Sequence, residues 1–322
     1  VAKFYRPGRW SPSQIQEEHD FALALLQDEV PMVAPLVLKG QTLHALSLKN
    51  DHSSMPEGFE GEWNDPSFDA KHNAPRSPDP ASASSGADAV DFWFSVSPSR
   101  GGRMPELDDW EVLEWLGRFI GRLHTVGQVS PFTFRPSLDV QSQGWGPRAY
   151  LLNEFEIAPA YKGEWAQLTK QALEAVEKAF DFDFKKIRLH GDCHAGNILW
   201  TPLDKNGQGG PHFVDLDDAR MGPAVQDLWM LMGAGREEQT LSMSVLLEGY
   251  EQVREFDRRE LALIEPLRTL RMIHYSAWLA QRLGDPAFER HFSWFASEAY
   301  WQEQVIALAD QIERMQEPVL MV

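Results

Sequence analysis

Residues 189–218 concentrate groups that can handle a phosphate. They read Leu189-His190-Gly191-Asp192-Cys193-His194-Ala195-Gly196-Asn197 and then, after a gap, Phe213-Val214-Asp215-Leu216-Asp217-Asp218. Moving a phosphoryl group onto a hydroxyl needs a carboxylate to accept the hydroxyl proton. It also needs hard oxygen ligands that fix Mg²⁺ against nucleotide phosphates. Asp192, Asn197 and Asp215 are donors of those kinds, and they sit in tight polar loops beside apolar runs at 186–189, 197–200 and 212–216 that read as short strands. If those strands are neighbours, the three donors converge. His190, His194 and Asp192 could also be read as the transition-metal cluster of a phosphoesterase. That chemistry needs further His- and Asp-rich motifs upstream, and residues 1–150 hold none with matching context.

The elements that must position this loop can be read from periodicity and punctuation. Residues 1–5 read as a strand, and Ser11-Pro12-Ser13 can cap and start a helix that runs to about Gln27. Two short strands are predicted within 33–48, broken at Lys39-Gly40. A flexible insertion rich in Pro, Ser, Gly, Asp and Asn is expected over 49–89, and a strand over 90–96. The linker signal Ser97-Pro98-Ser99-Arg100-Gly101-Gly102 sets the expected boundary between a domain at 1–99 and one at 100–322. Beyond it, Asp108-Asp109-Trp110-Glu111 has capping-box form and opens a helix ending near His124. Residues 149–180 read as mostly helical, and Asn206-Gly207 marks a hairpin over 203–211. A second capping box, Asp257 to Glu260, leads into an amphipathic run that Gly284 can end. Tyr275, Trp278, Trp294, Tyr300 and Trp301 recur at helical spacing, which favours core over a wall of an acceptor pocket.

Composition narrows the function classes. The 322 residues allow about two domains. Thirty Lys and Arg against 48 Asp and Glu give a formal charge of −18, a field that repels nucleic acid and favours cationic partners. No apolar run approaches the roughly 18 residues of a membrane span. The lone Cys193 rules out an internal disulfide and fits a reducing cytoplasm, and within the loop it reads as a packed thiol rather than a redox switch.

Asp192 and Asn197 stand five residues apart, the interval of the Asp and Asn in the protein-kinase catalytic loop, and Asp215 closes a strand as the Asp of Asp-Phe-Gly does. With His-Gly-Asp in place of His-Arg-Asp, the chain resembles the aminoglycoside phosphotransferase and choline kinase-like family. Val1 to Pro7, Leu189 to Trp200, Phe213 to Arg220 and Gly222 to Met230 extend the resemblance over nearly the whole chain, toward a bacterial stress-protective serine/threonine protein kinase branch. The resemblance implies an α+β, protein kinase-like two-lobed fold with an incomplete N-terminal sheet lobe, a mainly helical catalytic lobe and ATP between them. By the same resemblance Asp192 is the catalytic base, and Asn197 and Asp215 hold Mg²⁺. Lys3 contacts the ATP phosphates and Glu18 pairs with Lys3. Asp217 adds a further carboxylate at or behind the metal, Asp227 anchors the loop from below, His190 is structural and His194 faces phosphate. Glu18 is preferred to Glu17 because it shares the helix face of Phe21, Ala22 and Leu25.

The implied acceptor is a Ser or Thr hydroxyl on a protein; the sequence leaves the oligomeric state open, with a monomer expected. A small cationic acceptor, choline-like or aminoglycoside-like, suits the −18 charge, and a non-catalytic nucleotide-binding scaffold is the third reading. The family's glycine-rich phosphate loop should precede the Lys3 strand, so an N-terminally truncated chain with weakened ATP binding is expected. The 49–89 stretch is longer than the family's connection.

Overall fold

The computed structural model describes residues 1–47, 92–202, 209–284 and 286–322. The predicted insertion at 49–89 and residues 203–208 of the predicted hairpin lie outside them. β1 (Ala2–Tyr5) is followed by α1 (Pro12–Gln27), which starts where local chemistry favours a helix. Ser11 Oγ accepts from the Gln14 N–H, the Gln14 side chain accepts from the Ser11 N–H, and Pro12 fills a first-turn position that needs no donor. The buried face of α1 carries Ile15, Phe21, Ala22 and Leu25, and Glu18 lies among them.

β2 (His44–Leu46) and β3 (Phe92–Val96) complete a three-stranded antiparallel sheet in the order β1-β3-β2, with Lys3 opposite Ser95. The two strands predicted within 33–48 reduce to one. Leu38 and Gln41 bridge across the positive-φ pair Lys39-Gly40, a two-residue turn whose pairing ends after that single bridge. A small cluster of Tyr5, Ile15 and Leu43 packs between this sheet and the start of α1.

α2 (Trp110–Gly127) is capped by Asp109, whose carboxylate accepts from the N–H groups of Glu111 and Val112. The cap therefore falls one residue later than the Asp108 pattern suggests, and the helix runs on past His124. Val112, Leu113, Leu116, Ile120 and Leu123 form its buried stripe, each contributing roughly 1.5–3 kcal/mol by burial. The helical body continues with α3 (Gly146–Asn153), α4 (Pro159–Ala179), α5 (Arg236–Glu251), α6 (Ile264–Ala280), α7 (Pro286–His291) and α8 (Glu298–Arg314). α2 packs most extensively on α5, and Gly249 permits that approach: a Cβ there would lie 1.9 Å from the Glu114 carbonyl oxygen.

Two small antiparallel pairs sit against the helices. β4 (Ile187–Leu189) pairs with β7 (Arg220–Gly222), and β5 (Ile198–Thr201) pairs with β6 (Gly210–Phe213). The strand predicted over 212–216 stops at Phe213, because Asp215 takes left-handed backbone at φ 63° and ψ 66°. One large core joins these pairs to the helices and includes Phe21 and Leu25 of α1. The aromatic C-terminal region divides. Tyr300 and Trp301 are buried as expected of core, whereas Tyr275 and Trp294 are largely exposed, and Tyr275 borders a cavity together with Trp278. Among the described residues no helix is long and apolar enough to cross a membrane.

Candidate active site

The loop between β4 and β5 is held from beneath by one carboxylate. Asp227 accepts from the His190 N–H at 2.7 Å and the Gly191 N–H at 2.8 Å, and His124 Nε2 donates to it at 3.0 Å. Burial lowers the His124 pKa, so the ring is neutral and its Nδ1 can accept from the Tyr250 hydroxyl at 3.0 Å. Gly191 has φ 85°, and a Cβ there would stand 2.1 Å from the Asp218 carbonyl oxygen, so only glycine fits. His190 is fully buried and donates from Nε2 to the Val214 carbonyl at 2.9 Å, tying the loop to the segment that carries Asp215.

Asn197 spends its amide N–H on the loop, donating to the Asp192 carbonyl at 2.9 Å and approaching Asp192 Oδ2 at 3.4 Å. Its backbone carbonyl accepts from the Val214 N–H at 3.0 Å, which places Asp215 next door. Asp192 Oδ1 meets Arg271 Nη1 at 2.5 Å, and Oδ2 lies 3.5 Å from His194 Nε2. Burial alone would push the Asp192 carboxyl up, but His194 and Arg271 bring it well below the usual carboxylate range. His194 thus faces the Asp192 carboxylate, and its Nδ1 accepts from the Gly196 N–H at 3.0 Å.

From the other side, Lys3 Nζ reaches Asp215 at 3.0 Å, Asp217 at 3.2 Å and Glu18 at 3.5 Å. Burial works against its charge, but Glu18, Asp217 and Asp215 outweigh it and hold the ammonium firmly protonated. Both Asp217 oxygens face cations, Lys3 on one and Arg9 on the other, so this carboxylate neutralises its neighbours. Glu18 also accepts from Arg135 at 3.1 Å, and the adjacent Glu17 accepts the backbone N–H groups of Thr133, Phe134 and Arg135. Two consecutive acids on α1 therefore serve different partners.

Sequence reading missed Arg9, Arg135, Asp218, Arg220 and Arg271. Arg9 and Arg220 both bind Asp218, at 3.1 and 2.8 Å. Arg135 donates to the Ala219 carbonyl at 2.7 Å. Except for the Asp218–Arg220 pair, these contacts join residues far apart in the sequence, so no local pattern marks them.

A cavity of about 410 Å³ opens over the loop, bordered by Asp192, Asp215 and Arg9 on one side and by Arg271, His274 and Tyr275 of α6 on the other. At a second cavity, beside Tyr250 and Arg254, the buried Glu260 accepts from the Val225 N–H at 3.0 Å, and burial raises its carboxyl from 4.5 to about 7. Between those values the folded chain holds a proton that the unfolded chain has lost, so this stabilisation is present in acid and disappears as pH rises through 7. Glu260→Gln keeps an acceptor and removes the buried charge. Urea denaturation at pH 8 should show it more stable than the parent by about 2 kcal/mol, with the gain gone near pH 4.5.

With this geometry in place, a family model described as the phosphotransferase enzyme family matches residues 1–264. The chain belongs to this phosphotransferase family. Stress response kinase A of Salmonella typhi is 41% identical over 320 residues, covering 99% of this chain and 82% of the relative. Serine/threonine protein kinase RdoA of Salmonella typhimurium (strain LT2) matches at 41% with the same coverage, and stress response kinase A of Escherichia coli (strain K12) at 39%. Among solved structures, an amicoumacin kinase in complex with AMP-PNP, Ca²⁺ and its ligand aligns with TM-score 0.64 at 18% identity, covering 98% of this chain and 81% of that one. A microcompartment-associated aminopropanol kinase aligns at 0.59 and 17%, covering 97% and 83%. These neighbours show the fold, an α+β kinase-like architecture. Lys3, Glu18, Asp192, Asn197, Asp215 and Asp227 all fall within the span matched by the phosphotransferase family, whereas Arg271 and His274 lie beyond residue 264.

Proposed function

We propose that this phosphotransferase moves the γ-phosphoryl group of ATP to the hydroxyl of a Ser or Thr on a protein. The observation that carries the reading is the meeting of Lys3 and Asp215, 212 residues apart, at 3.0 Å beside the cavity that Asp192 and Asp215 both border. The name of one relative at 41% identity, serine/threonine protein kinase RdoA, supports the protein acceptor. The donor set suits Mg²⁺. The Asn197 side chain has committed its N–H to Asp192, which turns its Oδ1 to the ligand role, and the Asp215 carboxylate is half-exposed. Among the described residues no three His, Cys, Asp or Glu side chains converge as a transition-metal site would need.

Asp192 accepts the acceptor's proton as its oxygen attacks the γ-phosphorus, and the bond to the bridging oxygen breaks to release ADP. Its depressed pKa keeps it ionised and ready throughout the neutral range. Lys3 holds phosphate oxygens, and Glu18, clamped by Arg135, keeps Lys3 in place. Mg²⁺ bound at Asn197 and Asp215 would offset the charge on those oxygens. Asp227 fixes the loop so that Asp192 need not reorganise during the reaction.

The test is label transfer from γ-³²P-ATP by the full-length protein, offered protein acceptors beside small amino alcohols. Labelled phosphoserine or phosphothreonine is the expected product. Saturable labelling of a small molecule alone would overturn the protein acceptor, and no transfer to any acceptor would overturn the reaction.

A further inference from the structure

The acceptor side of the cavity has a charge opposite to that of the whole chain. The acids bordering it are already matched: Asp215 and Asp217 by Lys3, Asp217 and Asp218 by Arg9, and Asp218 also by Arg220. The wall supplied by α6 and the residue just past it presents Arg271, His274, Tyr275, Trp278 and Arg282, with no carboxylate. Arg271 uses Nη1 on Asp192 and has no other bonded partner among the described residues, although a guanidinium carries five donors and its side chain is 43% exposed. One turn further on, His274 keeps a buried Nδ1 without a partner. Arg282 lies 3.8 Å from the Trp278 ring centroid, and that ring stacks on Tyr275, so the wall ends in a flat stacked ledge.

The geometry points to an acceptor whose hydroxyl stands beside a carboxylate or phosphate group, with Arg271 as the residue that reads this anion. The inference rests on the phosphotransfer reading and names its substrate class. An ammonium-bearing acceptor would approach a guanidinium and find every acid bordering the cavity already paired with lysine or arginine, Asp192 with Arg271 itself. An anion taken by the remaining donors of Arg271 would set the neighbouring hydroxyl next to Asp192, because the same guanidinium holds both. Arg271 is therefore a positioning residue, and the anion selects the acceptor.

The test uses the full-length protein with three serine peptides of equal length, flanked by Asp and Glu, by neutral residues or by Lys, and with glycerate as a small hydroxy acid. Two quantities are read: kcat/KM with Mg·ATP, and Kd for the versions carrying Ala in place of the acceptor Ser. The acidic peptide should exceed the neutral one by about ten-fold in both, and the Lys peptide should be poorest. Arg271→Gln should bring the acidic and neutral peptides within about two-fold, Arg271→Lys should keep most of the preference, and Arg271→Glu should turn it toward the Lys peptide. A preference for glycerate over every peptide that is lost in Arg271→Gln supports the anionic acceptor and makes it a small molecule. A parent that prefers Lys or shows no preference, or an Arg271→Glu variant that still prefers the acidic peptide, overturns the inference. Charge-selective binding without any turnover would leave the anion site standing and remove the phosphotransfer reading, whereas turnover without charge preference does the reverse.

Discussion

Asp192→Asn should lower kcat by about 10²–10⁴-fold, the range that a positioned general base supplies, while leaving KM for ATP within a few-fold of the parent. In barrier terms that loss is about 3–5.5 kcal/mol. The variant should fold, because Asp192 is partly exposed and the loop is held through backbone groups at His190 and Gly191 rather than through its side chain. A second consequence follows from the charges around it. Since His194 and Arg271 depress its pKa, Asp192 stays ionised as pH falls toward 5, and the pH–rate profile should show no acid limb from this group. Steady-state ADP release, with circular dichroism to establish folding, measures both. Near-parental turnover in a folded Asp192→Asn protein would remove Asp192 from the chemistry.

Asp227→Ala should act on the fold first and on the reaction through it. The carboxylate is enclosed and satisfies two backbone N–H groups and a neutral histidine, so its removal leaves three buried donors without an acceptor. At roughly 1–3 kcal/mol for each orphaned group, with partial relief by water, the expected destabilisation is about 4 kcal/mol. Asp227→Asn retains one acceptor oxygen and should fall between. Urea midpoints on the three proteins order these outcomes, and an Ala variant within 0.5 kcal/mol of the parent would show that the loop has another anchor.

The site was legible where chemistry is written locally. His190 to Asn197 and Asp215 follow one another at spacings that short strands and a tight turn can realise, and Pro12 with Ser11 marks the start of α1 within a residue. The choice of Glu18 over Glu17 needed only helix geometry, since Glu18 lies on the buried face and Glu17 turns toward the 133–135 backbone. What could not be read was the set of partners that come from afar. Arg271 lies 79 residues from Asp192 and Arg9 lies 209 from Asp218, and nothing near either residue marks the encounter. The strand over 212–216 was overextended for a related reason. Apolar alternation cannot reveal that Asp215 adopts a left-handed backbone, a conformation that Asp tolerates better than most residues and that ends the strand. The expectation of a cationic acceptor came from summing charge over the whole chain, a sum that carries no information on which charges gather at one cavity wall, such as Arg271 on α6 and Arg282 beyond its end.

Cys193 sits between Asp192 and His194, yet its side chain turns away into the large core and is fully enclosed. Burial, with the charges of Asp227 and Asp192 in the same sense, raises its thiol well above the ordinary value. Only the thiolate reacts readily with peroxides or alkylating agents, and this one is both protonated and out of reach. The residue next to Asp192 is thereby insulated from oxidants, and a cell meeting an oxidative burst would find no thiol in this loop to modify.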